Sequence, residues 1–173
     1  YWSDRVQSIS SSCRPKVGLI WRGGYVNGMR SSHYLNEKEI SEVMQSLPGV
    51  EFFNCMYVDC KKELNYIQKK TGKKIHHFSE LDQKNDIEST AAMLSNLDLL
   101  VGAYTATLSL SQAVGTPAVV YAADYLKEDG VLEKEAFHYE GVSHISLPVI
   151  DKGMRRLAIE AIIKNIKQKL KLI

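Results

Sequence analysis

At 173 residues, with 45% hydrophobic and 24% charged side chains, the chain has the size and apolar content of one compact domain around a single core. Eleven Gly, four Pro and three Cys exclude collagen-like, linker and disulfide-scaffold classes, and no apolar run approaches the roughly 20 residues of a membrane-spanning helix. A formal net charge of +2 is too mild to imply a nucleic-acid partner, but it is unevenly spread: from Asp151 onward seven Lys or Arg face two acids, giving +5 there and −3 over the remainder.

The first residue is Tyr1, and no basic-apolar-small signal pattern follows it, so the sequence reads as a segment of a longer protein. Cys13, Cys55 and Cys60 are odd in number and lack C-x-x-C spacing. Three ordinary thiols in a reducing, cytoplasmic setting are expected, with no zinc site. Cys60 lies near a helix start beside Lys61 and Lys62, which would lower its thiol pKa, but no partner His is placed by the sequence.

Residues 1–15, Ser-rich at Ser8 to Ser12 and ending in Arg14-Pro15, read as a linker or a lead-in helix. Lys16 to Trp21 is an apolar run without helical period, followed by a Gly-rich loop, and predicts a first buried strand. Asn36 with Glu39 three residues on predicts a capping box, opening a helix with Ile40, Val43, Met44 and Leu47 inward. Val50 to Met56 predicts a second strand, Cys60 to Lys70 a Lys-rich helix, and Lys73 to Phe78 a third strand. In that strand His76 and His77 point to opposite faces and cannot share a metal. Asp86 predicts the cap of the next helix, and Asp98 to Ala103 a fourth strand. Thr105 to Val114 predicts a helix stopped by Gly115 and Pro117, and Ala118 to Ala123 a fifth strand.

Residues 124–142 are polar and irregular, with a helical turn at Leu132 to Ala136; Ser143 to Val149 predicts a last short strand, and Asp151 onward a basic amphipathic helix. Its apolar face is read as Leu157, Ala161, Ile162, Ile166 and Leu170. That face packs on the sheet or, on a competing reading, lies on an anionic membrane surface.

Strands apolar on both faces that alternate with helices predict an α/β, Rossmann-like, doubly wound parallel sheet of five or six strands with helices on both faces. The expected organisation is a lead-in segment 1–15, a domain 16–150, and a C-terminal helix 151–173 on the same domain. In such sheets ligands bind beyond the carboxyl ends of the strands. The loops to consider are therefore Trp21 to Arg30, Met56 to Asp59, Ala103 to Thr107 and Ala123 to Tyr125.

Tyr104-Thr105-Ala106-Thr107, leading into Ser109, is a strand end turning directly into a helix, which presents free N–H groups and a positive dipole end to a phosphate. Plain N-capping by Thr105 with small residues for helix packing is the competing reading. In the loop Trp21-Arg22-Gly23-Gly24, continuing to Arg30, glycines admit close backbone approach and the two arginines suit phosphate oxygens; a solvated loop is the alternative. Neither G-x-G-x-x-G nor G-K-[ST] is present, nor is a nucleophile elbow or a spaced carboxylate set.

The segments KVGLIWRGG (16–24), RSSHYL (30–35), DIESTAAMLSNLDLLV (86–101) and TATLSLSQAVGTPAVV (105–120), in this order, resemble the C-terminal donor-binding half of GT-B glycosyltransferases. The similarity is to bacterial enzymes linked to tetratricopeptide repeats and to the heptosyltransferase and O-linked N-acetylglucosamine transferase groups. It is most specific at Asp86 to Asp98, where the family pattern is close to D-F-A-D-T-A-x-L-I-x-N-L-D-L-V-I.

The resemblance implies a nucleoside diphosphate sugar as donor substrate, no permanently bound cofactor and no metal. It also implies an acceptor-binding N-terminal domain outside this chain. Arg30 would match the family's basic position near the diphosphate, in the catalytic role of stabilising the leaving group, and Thr105 to Thr107 would form the phosphate-facing helix start. Trp21 to Gly24, Met56, Tyr57, Tyr104 and Ser109 would line the donor cleft.

Three departures stand out. Where the family reads V-D-T-x-x-A-H-L-A-G-A-L-G, this chain has Ala103-Tyr104-Thr105 and then Ser109, without the Asp or the His. Met56 replaces a common Gln, and Ser89 the second Asp of its helix start. They imply either an altered donor or an inactive, glycosyltransferase-like interaction module.

Overall fold

The computed structural model describes residues 1–10, 13–123, 141–147 and 152–172, with the side chains of Met29, Arg30, Ser146 and Lys152 outside that description. Residues 124–140 of the irregular stretch, with the helical turn at 132–136, the Tyr125 end of the fourth candidate loop and the 148–149 end of the predicted last strand lie outside the described residues, as do Ser11, Ser12 and Asp151.

Six strands, β1 (Lys16–Ile20), β2 (Glu51–Asn54), β3 (Ile75–His76), β4 (Leu99–Ala103), β5 (Ala118–Ala123) and β6 (Val142–Leu147), form one sheet in the order β3-β2-β1-β4-β5-β6. Every pairing is parallel, with Val17 opposite both Phe52 and Leu99, and Val101 opposite Val119. The sheet is flanked by helices, as a Rossmann-like α/β fold requires. On one side α1 (Trp2–Ile9), α4 (Ile87–Leu94) and α5 (Ala106–Ala113) touch in series; α2 (Glu37–Gln45), α3 (Lys61–Thr71) and α6 (Lys152–Lys169) form the other set. Central strands buried on both faces explain the near-continuous apolar runs: Val17, Leu19, Ile20, Leu99, Leu100 and Val101 are wholly buried.

Residues 2–9 are a packed helix, not a linker. Trp2 and Val6 are buried, the Trp2 ring meets Phe78 edge-on at 5.2 Å, and Arg5 pairs with Glu80. The predicted capping box forms in full: Asn36 Oδ1 accepts the Lys38 and Glu39 N–H groups at 3.0 and 3.1 Å, and Asn36 N–H donates to Glu39 Oε2 at 2.8 Å. Asp86 caps α4 by accepting from the Ser89 N–H at 3.0 Å.

Two expectations need correction. The third strand is two residues long, because the flanking residues are taken up elsewhere. Lys73 donates its Nζ to the Leu47 carbonyl at 2.8 Å, closing the end of α2, and His77 turns to Asn54. In α6 the buried face is Ala158, Ile159, Ile162 and Ile166, whereas Leu157 is 62% exposed, so the true stripe is rotated from the predicted one. That stripe packs on β4, β5 and β6. No helix among the described residues is long and apolar enough to cross a membrane.

His76 sits at the sheet edge with its ring 4.8 Å from that of Phe53 and its Nε2 3.3 Å from Glu51 Oε2. Burial holds its pKa below the ordinary 6.5, aided by Lys74 and opposed by Glu51. The unfolded chain therefore takes up a proton as pH falls through 6.5 that the folded chain refuses until its own, lower pKa. Stability contributed by the neutral ring is present above the unfolded value and is lost as pH falls toward the folded one. The urea midpoint is expected to drop between about pH 7.5 and about pH 5.5, and to drop less in His76→Gln; equal drops would remove His76 as the cause.

Candidate functional site

The strand order reverses direction between β1 and β4, and the crevice at such a switch point is where doubly wound sheets bind ligands. Two sequence-predicted segments, Trp21 to Gly24 after β1 and Tyr104 to Thr107 after β4, leave the sheet on either side of this crevice, at the paired positions Ile20 and Gly102. The sheet thus brings together two segments that lie some eighty positions apart in the chain.

The β1 loop is braced rather than solvated. Arg22, expected to meet phosphate oxygens, instead makes a two-pronged ion pair with Glu63 of α3, Nε to Oε1 at 2.6 Å and Nη2 to Oε2 at 2.7 Å, and also donates to the Gly23 and Asp59 carbonyls. Glu63 raises the guanidinium pKa against the opposing effect of burial, so the charge is already balanced inside the protein. Trp21, expected in the cleft, is 1% exposed and belongs to the core, where its Nε1 has no hydrogen-bond partner. The Gly24 N–H donates to Tyr57 Oη at 2.9 Å. A Cβ on Gly23 would stand 2.7 Å from the Tyr34 hydroxyl, so that glycine admits a tyrosine of this chain. Met56 is likewise buried, with its N–H donating to Asn54 Oδ1 at 3.1 Å.

On the β4 side, Thr105 occupies the N-cap position of α5 with extended backbone, yet its hydroxyl makes no capping bond. Its Oγ1 is buried with no hydrogen-bond partner. The capping reading therefore explains Thr105's position but not its side chain. Tyr104, Ala106 and Ser109 are exposed around the helix start, and Thr107 is buried.

Between these segments and β5 lies a short turn. Gly28–His33 is a short 3-10 helix that carries Arg30 in its backbone; the Arg30 side chain lies outside the described residues. His33 Nδ1 accepts the Ala123 N–H at 3.1 Å, joining the turn to the end of β5. The Leu35 N–H donates to the Trp21 carbonyl at 3.2 Å, joining its far side to the end of β1. Arg155 of α6 closes the third side, with Nη2 donating to the Tyr34 carbonyl at 2.6 Å.

Tyr34, Glu63 and Arg155 were missed by sequence reasoning. Glu63 and Arg155 act across long chain separations, and the Tyr34 hydroxyl reaches Gly23 and Tyr25 only through the fold of the loop. At the end of β2, Asn54 Nδ2 and His77 Nδ1 lie 3.0 Å apart, and Gln83 Nε2 donates to the Asn54 carbonyl at 2.9 Å. Cys60 sits beneath them, its Sγ 3.7 Å from Asn54 Oδ1. The expectation of a lowered thiol pKa is reversed: burial, helped by Glu63 and Asp59, outweighs the Asn54 hydrogen bond and Arg22 and pushes it up to about 11. Among the described residues no group of three or more His, Cys, Asp or Glu is placed to hold a metal ion.

No family model matches this chain. A glycosyltransferase family 9 protein from Veillonella parvula superposes with a TM-score of 0.59 over 99% of this chain and 52% of its own, at 12% identity. The E. coli ADP-heptose lipopolysaccharide heptosyltransferase II does so with a TM-score of 0.58 over 96% of this chain and 51% of its own, at 13% identity. The fold is glycosyltransferase-like. In sequence, Protein FlbA of Caulobacter vibrioides is 32% identical over 117 residues, which make up 68% of this chain and 19% of that protein. The chain thus spans about half of each glycosyltransferase structure and about a fifth of FlbA.

Within this glycosyltransferase-like fold, the crevice between β1 and β4 is walled by the braced Gly23-Gly24 loop and the start of α5. The Gly28–His33 turn stands beside it, at the end of β5.

Proposed function

We propose that this chain is the nucleoside-diphosphate-sugar-binding half of a glycosyltransferase whose acceptor is held by a further, N-terminal domain. The observation that carries the reading is Thr105, a buried hydroxyl without a partner at the start of a helix that opens on the switch-point crevice. A diphosphate there would accept from that hydroxyl and from the first N–H groups of α5, while Arg30 would balance charge developing on the leaving group. Tyr57 and Tyr104 would border the donor. The likeness to an ADP-heptose heptosyltransferase makes ADP the first nucleotide to try.

Titrating UDP, GDP and ADP calorimetrically against the 173-residue chain tests the reading. One of the three is expected to bind, and Arg30→Ala and Thr105→Val are each expected to weaken it by about tenfold or more, the loss of one charge-assisted hydrogen bond. Thr105→Val should leave the unfolding midpoint unchanged or raise it, since it removes an unsatisfied hydroxyl. Binding of none of the three nucleotides would overturn the proposal.

A second reading, a glycosyltransferase-like module that binds without catalysing transfer, is favoured by Arg22, whose charge is already spent on Glu63. Sugar transfer by the full-length protein would exclude it.

A further inference from the structure

We infer that Arg155, on the C-terminal helix, is a positioning residue for the crevice, fixing the turn that carries Arg30; the inference rests on the nucleotide-binding reading above. A 3-10 turn is weakly held by its own hydrogen bonds. Within this one, the Tyr34 N–H reaches the Ser31 carbonyl at 3.2 Å and Ser31 Oγ the Gly28 carbonyl at 2.7 Å. Further restraint comes from outside the turn, where His33 Nδ1 accepts the Ala123 N–H and the Leu35 N–H donates to the Trp21 carbonyl. Arg155 Nη2 donates to the Tyr34 carbonyl at 2.6 Å and Nη1 to the Ser32 carbonyl at 3.4 Å, so one guanidinium grips the turn at its C-terminal end.

The same group is oriented by Glu39, with Nε to Oε1 at 2.6 Å and Nη2 to Oε2 at 3.0 Å. Glu39 is itself fixed by the α2 capping box. The Arg155 and Glu39 side chains are 21% and 13% exposed, so the pair is largely sheltered from solvent. Two carbonyls and a carboxylate shared by three nitrogens of one side chain suit a guanidinium fork and not a lysine ammonium. The basic C-terminal helix is therefore part of the site's construction.

Two measurements on Arg155→Met and Arg155→Lys test this. Hydrogen exchange without nucleotide is expected to accelerate about tenfold or more at residues 28–36 in the Met variant while β1 and β4 amides keep their protection, with the Lys variant intermediate. The affinity for whichever of UDP, GDP or ADP the wild type binds is expected to fall about tenfold in the Met variant and less in the Lys variant.

Unchanged protection at 28–36, or acceleration spread evenly over the whole sheet, would overturn the inference and show that Arg155 only stabilises the fold. So would an unaltered affinity in a variant whose turn has loosened. If the Met variant does not fold, the Lys variant decides by the same two readouts. Failure of the wild type to bind any nucleotide defeats the nucleotide reading, whereas the exchange result judges the clamp separately.

Discussion

Gly102→Ala is expected to destabilise the protein by about 3 kcal/mol, and Gly102→Val by more, because the added carbon has nowhere to go. A Cβ at this position would lie 2.7 Å from both the Ile20 carbonyl oxygen and the Ile20 Cβ, and 3.3 Å from the Ile20 Cα. Backbone atoms of a hydrogen-bonded neighbouring strand cannot rotate aside. The β1–β4 pairing would have to widen at the Ile20 and Gly102 register, directly beneath the switch-point crevice.

Gly18 provides the control. Its Cβ would come as close, 2.7 Å from Cys55 Sγ and Leu100 Cδ1 and 2.8 Å from Leu97 Cδ1, but those are side-chain ends that can move. Urea unfolding should therefore rank Gly102→Ala well below Gly18→Ala. Equal midpoints would show that β1 and β4 can separate at little cost.

Glu39→Ala is expected to cost about 3 kcal/mol, more than Glu63→Ala, because one carboxylate serves two structures. Its removal frees the Asn36 N–H at the start of α2 and strips Arg155 of its counter-charge while leaving the guanidinium largely sheltered. An unpaired, partly buried charge is the expensive component, and the small exposure to water trims it below the cost of a fully buried pair. Glu63→Ala strands Arg22 in the same way, at 18% exposure, but undoes no helix cap. Denaturant midpoints for the two variants and for Glu39→Gln, which keeps an acceptor for Asn36, separate the contributions. A loss in Glu39→Ala no larger than in Glu63→Ala would assign no stability to the cap.

Local signals in the sequence carried most of the fold. The capping box at Asn36, the cap at Asp86, the apolar runs of β1, β4 and β5, and the Gly115-Pro117 stop of α5 depend on residues within a few positions of one another. The helix and strand boundaries they mark agree with the structure to within one or two residues. The third strand failed because an edge strand is held by few bonds, and its neighbours were recruited by α2 and β2. The rotated face of α6 failed because its apolar residues outnumber those the sheet can cover, and only packing chooses between Leu157 and Ala158.

The size and composition that define one α/β domain, the order of its elements and the two segments flanking the crevice are properties of the sequence alone, since periodicity, capping and glycine placement act at short range. The partners of its charged groups are not. Arg22 and Arg155 look alike as loop or helix arginines, yet one neutralises Glu63 and the other grips Ser32, Tyr34 and Glu39 across more than a hundred residues. Cys60 shows the same limit: lysines adjacent in sequence suggest a lowered thiol pKa, and burial raises it. Electrostatic roles depend on distance and solvent exposure in three dimensions, and only the tertiary structure decides those.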